Sequence, residues 1–129
     1  MMHRFQLRIY YEDTDLAGIV YYANYLKFIE RARSEFVREL GFDQKALHAE
    51  QGIVIAVRRV EADYLQPARF DDELEVQTIV QAVSGARLVL HQDVTRAGVV
   101  LFSAVVTLVA LTDSGTPTRM PAEIRLLLQ

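Results

Sequence analysis

The sequence predicts an α+β fold in which an antiparallel sheet curls around one long helix. Three observations carry this prediction: an alternating segment near the N-terminus, a long amphipathic segment after it, and apolar segments separated by short turns after Gly52. Alternation with a period of two indicates a strand, and apolar residues three or four positions apart indicate a helix. A run of strands beside one helix is typical of α+β folds.

The first strand and the helix are read from these two periodicities. Phe5–Tyr11 alternates and is predicted to be a strand. From about Tyr25 to Leu40 the apolar residues fall on one broad face that covers about half of the helix circumference. Such a face is wider than a surface helix requires, so we expect other structure to wrap around it. We place the helix start between Tyr21 and Asn24, with Asn24 as the candidate N-cap.

The rest of the chain is predicted to form four strands after a short helical piece at 43–50. The segments rich in Val, Ile and Leu are 53–60, 73–83, 87–95 and 99–111. Ser84-Gly85 and Ala97-Gly98 are predicted hairpin turns. The tail after Pro117 is left unassigned.

Composition and charge exclude several classes of function. The 129 residues fit a single domain, 1–129. The formal net charge of −3 disfavours a nucleic-acid partner, and the absence of Cys excludes a disulfide framework and a Cys nucleophile. The N-terminus lacks the apolar core of a signal peptide, and the longest apolar run, 99–111, is shorter than the roughly 20 residues of a membrane span. We therefore expect a cytoplasmic protein with no membrane span.

The acidic segment between the first strand and the helix carries a motif. Its sequence, Tyr11-x-Asp13-Thr14-Asp15-x-x-Gly18-Ile19-Val20-Tyr21-x-x-x-Tyr25, resembles the signature of hotdog-fold acyl-CoA thioesterases. The resemblance is to the 4-hydroxybenzoyl-CoA thioesterase type and to the similar thioesterases encoded with the Tol-Pal system. It continues through 28–33 and 67–72 and so covers most of the chain.

This resemblance implies a fold, a reaction and an assembly. The implied hotdog fold is a five-stranded antiparallel sheet wrapped around one long central helix. The implied reaction is hydrolysis of an acyl-CoA to the free acid and coenzyme A, with no cofactor and no metal. Family members pair edge to edge, often as a dimer of dimers, with active sites at the dimer interface. The resemblance therefore implies a homodimer or homotetramer. It also implies that the protein is associated with the Tol-Pal system.

The resemblance also implies site residues. The second Asp of the motif, Asp15, matches the catalytic aspartate. The backbone N–H of Tyr22 matches the amide that polarises the thioester carbonyl, and Tyr22 also replaces a histidine that many Tol-Pal-associated members carry. This replacement favours the version of the site with a single carboxylate. Arg87 matches the region of basic phosphate contacts in the 4-hydroxybenzoyl type. We also expect Gly18 and Tyr25 to contact the substrate, and a core aromatic is the equal alternative for Tyr25.

A single carboxylate is chemically sufficient for this reaction. A thiol has a pKa of about 8.5, so the thiolate leaves without a strong general acid. Asp15 acts either as a general base toward water or as a nucleophile that forms a mixed anhydride, and the sequence does not separate these routes. Amides at a helix start stabilise the oxyanion. Asp13 is expected to be structural, in an Asx-type turn.

The sequence leaves open several alternative functions and residue roles. A non-catalytic module that binds acyl-CoA or a protein is the main rival to the enzyme. A metal-dependent phosphatase using Asp13-Thr14-Asp15 is disfavoured, since Ala17 and the short chain do not fit that pattern, and Ala17 also breaks a calcium loop. Arg58 and Arg59 are alternative phosphate contacts. Arg33, inside the apolar helix face, needs a partner, for which a carboxylate of the acidic loop is the candidate.

Overall fold

The computed structural model describes residues 1–128 and has six strands and three helices in that range. In chain order these elements are β1 (Met2–Arg8), α1 (Asn24–Glu39), α2 (Gln44–Gln51), β2 (Ile53–Tyr64), β3 (Glu73–Val83), β4 (Arg87–Arg96), β5 (Val99–Thr112), β6 (Pro117–Thr118) and α3 (Ala122–Leu128).

The five long strands form one antiparallel sheet in the order β1-β3-β4-β5-β2. The two-residue strand β6 pairs with β5 beyond Arg87, the first residue of β4. The five-stranded sheet wrapped around a long helix is therefore confirmed, with β6 as an addition that the sequence did not predict. β1 and β2 are the edge strands, and β2 is twelve residues long with a bulge between Val57 and Arg59.

The long helix α1 lies on one face of the sheet and supplies the centre of the core. Its apolar face buries Tyr25, Phe28, Ile29, Ala32 and Phe36, as the periodicity predicts. The facing sheet residues are almost completely buried: Leu74, Val76, Leu88, Leu90, Val94, Phe102, Ala104 and Val106. Truncating a buried aromatic side chain of this kind to Ala typically costs about 3–5 kcal/mol.

The first strand ends earlier than the alternation predicts, so the prediction of Phe5–Tyr11 is wrong at both ends. The Ile9 N–H donates to the Asp72 carbonyl (2.9 Å), and the Asp71 N–H donates to the Ile9 carbonyl (3.0 Å). The chain then turns through a 3₁₀ turn at Tyr11–Asp13. The carboxylate of Asp13 accepts the Tyr10 N–H at 2.8 Å, which stabilises this turn against a continued strand.

Arg33 is half-buried, as expected for its place on the apolar face, but its partner is an amide. Its Nη1 donates to Oε1 of Gln92 at 3.0 Å, so the expectation of a partner in the acidic loop is wrong. The completely buried Gln92 in turn donates to the Ile29 carbonyl and to Oγ1 of Thr78. Burial lowers the pKa of Arg33, and the nearby Glu30 opposes that shift.

The tail that the sequence left unassigned forms α3, which buries Ile124 and Leu128 against the core. None of the helices in the described part of the chain is both long enough and apolar enough to cross a membrane.

The hairpin between β4 and β5 contains a strained residue. Ala97 has φ +50° and Gly98 has φ +81°, the combination that two-residue hairpin turns of type I′ require. An L residue with a Cβ adopts positive φ at a cost, and Asn tolerates it better than Ala.

Replacing Ala97 by Asn is therefore expected to raise the free energy of unfolding by about 0.5–1 kcal/mol. Denaturant unfolding measures the change. Ala86→Asn in the β3–β4 hairpin is the matched control, because Ala86 is not among the positive-φ residues. An equal gain in both variants, or a loss in Ala97→Asn, contradicts the strain at Ala97.

Candidate active site

The acidic loop, residues 9–23 between β1 and α1, is held by the backbone of Asp13. Its carbonyl accepts the Tyr21 N–H (2.9 Å) and Nδ2 of Asn24 (2.9 Å). Asp13 is thus structural, as predicted, but its carboxylate accepts the N–H of the preceding Tyr10 and forms no Asx turn. Asn24 is the first residue of α1, and the N-cap is Ala23. The predicted N-cap at Asn24 is wrong because the Asn24 side chain donates its hydrogen bond to the Asp13 carbonyl.

Asp15 occupies the Asx turn in this loop. Its Oδ1 accepts the Ala17 N–H at 2.9 Å, its N–H donates to the Ile19 carbonyl (2.9 Å), and its own carbonyl accepts the Gly18 N–H (3.0 Å). Within residues 1–128, Oδ2 accepts no hydrogen bond. One oxygen of an exposed carboxylate is therefore fixed, and the other is open to solvent.

Gly18 completes this turn with φ +79°, a conformation that L side chains rarely adopt. The residue does not line the cleft described below. Its observed role is to close the loop that carries Asp15, and a direct substrate contact by Gly18 stays a prediction.

The residues just before α1 offer two free amides. In the described part of the chain, neither the Tyr22 N–H nor the Ala23 N–H donates a hydrogen bond. The first turn of this sixteen-residue helix contains no acidic residue that would offset the positive end of its dipole. The Tyr64 hydroxyl donates to the Tyr22 carbonyl at 2.9 Å and so fixes the orientation of the peptide between Tyr22 and Ala23.

These residues surround an open cleft of about 380 Å³. Its lining consists of Asp15, Ile19, Val20, Tyr21, Tyr22, Tyr25, Tyr64, Leu65, Gln66 and Pro67. The cleft thus brings together three of the predicted site residues, one acidic and two aromatic, with a mainly apolar wall.

Tyr25 forms the inner wall of the cleft and is 3% exposed. Its ring stacks on Phe102 with a centroid distance of 5.0 Å, and its hydroxyl oxygen accepts the Ala68 N–H at 3.0 Å. Burial raises the pKa of Tyr25 despite this hydrogen bond, and burial also raises the pKa of Tyr64. Both phenols are therefore protonated at neutral pH.

Arg87 lies far from this cleft within one chain. Arg87 pairs with Val109 and Tyr64 pairs with Phe102, both across β5. The seven-residue step from Phe102 to Val109 corresponds to about 23 Å along the strand. Within one chain Arg87 therefore does not reach the cleft, and its contact with the substrate stays a prediction.

A second arginine, which the sequence reasoning missed, lies at the same end of the sheet as Arg87. Arg119 and Arg58 line an open depression together with the turn at 84–86, and Arg87 follows that turn. Arg119 approaches Gly85 so closely that a Cβ there would lie 2.8 Å from its Nη2. Across residues 1–128, none of these three arginines makes an ion pair. Arg119 was missed because it lies in the unassigned tail.

A second cluster of polar groups lies on β4 and β5 but lacks the geometry of a catalytic triad. Nε2 of His91 contacts both Oδ1 of Asp93 (3.0 Å) and Oγ of Ser103 (3.1 Å), and the Ser103 hydroxyl donates to Asp93 (2.6 Å). A triad requires the two ring nitrogens to contact different partners. In the range 1–128, no three His, Asp or Glu side chains form a group that would hold a metal ion.

Comparison with known proteins places this geometry in a family. Residues 17–103 match the family model described as the thioesterase superfamily. The acyl-CoA thioesterase YbgC of Haemophilus influenzae is 42% identical over 123 residues, which cover 94% of this chain and 90% of the relative. The acyl-CoA thioester hydrolase YbgC of Escherichia coli is 42% identical over 112 residues, covering 87% of this chain and 83% of the relative.

Solved structures agree with the family match. A probable thioesterase from Bartonella henselae superposes with a TM-score of 0.88 at 36% identity, covering 94% of this chain and 100% of that one. A mutant 4-hydroxybenzoyl-CoA thioesterase, solved with 4-hydroxybenzoyl-CoA bound, superposes with a TM-score of 0.93 over 99% of both chains. At 23% identity this second match supports the fold alone. The chain therefore belongs to the thioesterase superfamily and has its hotdog fold.

Proposed function

We propose that this chain is an acyl-CoA thioesterase in which Asp15 and the amide of Tyr22 act on the thioester. The observation that carries the proposal is the pairing of a free carboxylate oxygen on Asp15 with unpaired amides at the start of α1, around one cleft. The names of the relatives at 42% identity support acyl-CoA as the substrate.

The proposed chemistry needs two groups at the thioester. The Asp15 carboxylate activates a water or attacks the carbonyl carbon, and both routes lead to the free acid and coenzyme A. The negative charge that develops on the carbonyl oxygen is stabilised by the Tyr22 N–H at the positive end of α1. The hydroxyl of Tyr64 supports this role, because it holds the adjoining peptide in place.

We further propose that the complete site forms between two chains. Residues 58–64 of the edge strand β2 are exposed and include the apolar Val60 and Tyr64. A long uncovered edge strand readily pairs with another strand. If β2 pairs antiparallel with its copy across a twofold axis, the Tyr64 end of one chain lies beside the Ile53 end of the other.

This pairing explains the distance between Asp15 and the basic residues. Arg58 lies on β2, and Arg87 and Arg119 lie at the far end of the same chain. In a homodimer, or in a homotetramer built from such dimers, that end of one chain approaches the cleft of its copy. Unpaired guanidinium groups are suited to the phosphates of coenzyme A. A cytoplasmic location and an association with Tol-Pal stay predictions.

Asp15→Asn is expected to lower kcat by about 10²–10⁴-fold with KM changed little, because Asn keeps the shape of Asp15 but removes the base or nucleophile. Steady-state hydrolysis of acyl-CoA with thiol detection measures both constants. Glu12→Gln, an exposed carboxylate in the same loop that does not line the cleft, is the matched control. Retained activity in Asp15→Asn refutes the mechanism. Binding of acyl-CoA without hydrolysis by the native protein favours the non-catalytic module.

Arg119→Ala is expected to raise KM for acyl-CoA about tenfold, since one charge-assisted hydrogen bond to a phosphate is lost. The matched substrate is the acyl-pantetheine thioester, which lacks the nucleotide and should keep its KM. An equal rise for both substrates would show that Arg119 does not contact the nucleotide end.

Val60→Lys is expected to convert the dimer into monomers and to abolish most activity, because a charged side chain then replaces an apolar one on the pairing edge of β2. Sedimentation velocity gives the state of assembly. Val99→Lys, at an exposed residue on the β4–β5 hairpin, is the control and should stay dimeric. A Val60→Lys protein that remains dimeric and active argues against pairing through β2.

A further inference from the structure

Arg96 is the last residue of β4 and does not line the cleft. Its Nη1 donates to Oδ2 of Asp72 at 2.7 Å and to the Pro67 carbonyl at 3.3 Å. This pair is largely shielded, with 34% of the Arg96 side chain and 22% of the Asp72 side chain exposed. We infer that Arg96 is a positioning residue that holds Asp15 in its reactive geometry through the connection between β2 and β3, an inference that rests on the proposed role of Asp15.

The connection between β2 and β3, residues 67–72, is closed by the Asp72 carboxylate. Oδ2 of Asp72 accepts hydrogen bonds from the Arg69 N–H (2.8 Å) and from the Arg96 guanidinium. One carboxylate oxygen therefore links two residues of the connection to each other and links the connection to β4. Arg96 reaches the other end of the connection through the Pro67 carbonyl. Asp71 inside it has φ +70°, a conformation that costs energy for a residue with a Cβ.

The same connection is hydrogen-bonded to the acidic loop. Ala68 is completely buried, and its carbonyl accepts the Val20 N–H at 2.8 Å. The Ala68 N–H donates to the Tyr25 hydroxyl, and Ile19 forms a β-bridge with Arg69. The Ile19 carbonyl accepts the Asp15 N–H at 2.9 Å. Hydrogen bonds joined by single backbone steps therefore lead from Arg96 to the residue that carries the reactive carboxylate.

The Asp13 carbonyl and a bridge between Thr14 and Val20 hold the ends of the acidic loop, whereas its middle, residues 15–18, is exposed. Removing the Arg96 guanidinium leaves Asp72 with the Arg69 N–H alone and leaves Pro67 without that donor. We expect the connection to loosen and Asp15 to shift, and a shift of about 1 Å at a reacting group costs about 10²-fold in rate.

The test compares Arg96→Met with Arg4→Met. Arg4 makes an ion pair of similar length with Glu75 (2.6 Å) between β1 and β3, away from the connection. The expected result is a fall in kcat of about 10–100-fold for Arg96→Met with KM changed less than about twofold. Arg4→Met should leave both constants unchanged, and Arg96→Lys should recover part of kcat. An equal effect of the two Met variants on kcat, or a change confined to KM, overturns the inference.

Two further measurements separate this inference from the proposed function. In an Asp15→Asn background, Arg96→Met should lower the residual rate no further, and an additional fall of the same size shows that Arg96 does not act through Asp15. Amide hydrogen exchange should show faster exchange at Val20 and Ala68 in Arg96→Met but not in Arg4→Met. If native protein lacks hydrolysis while this exchange pattern holds, the proposed function fails and the tie between Arg96 and the loop stands. Unchanged exchange at both amides contradicts the tie.

Discussion

The hydrogen bond from the Val20 N–H to the Ala68 carbonyl is the contact on which the geometry of the cleft depends. It joins the acidic loop to the connection between β2 and β3, and the Tyr25 hydroxyl accepts the N–H of the same Ala68. Because Ala68 is completely buried, a peptide group left unpaired there would cost a large part of the stability of the fold. The core thus fixes the loop, and the loop fixes Asp15.

Around this contact, the fold buries aromatic side chains beneath the cleft and leaves the proposed reactive groups accessible at the surface. The aromatic rings of Tyr25, Phe28 and Phe102 pack together beneath the cleft and exclude water from its floor. Asp15 and the free amides at the start of α1 remain at the surface, where a substrate and water can reach them. Exposure of the carboxylate in one chain fits the proposal that a second chain completes the site. The same proposal accounts for the arginines at the opposite end of the sheet.

The parts of this protein that sequence predicts well are those governed by local periodicity. The apolar face from Tyr25 to Leu40 predicted α1 to within one residue at each end, and the strand 73–83 matches β3. The end of β1 was mispredicted because the alternation of residues 5–11 continues past Arg8, the last residue of the strand, and past the point where Ile9 pairs with residues 71 and 72. Sequence also gave no signal for Arg119, which reaches Gly85 only after the chain returns along β6. Asn24 was misassigned because its side chain bonds to a residue eleven positions earlier.

The decisive measurement is hydrolysis of a panel of acyl-CoA thioesters by the native protein, with and without a metal chelator. We expect release of coenzyme A from at least one member of the panel at a rate that the chelator does not change, because a carboxylate and backbone amides suffice for thioester hydrolysis. Binding of acyl-CoA with no release of coenzyme A, or activity that the chelator removes, would contradict it.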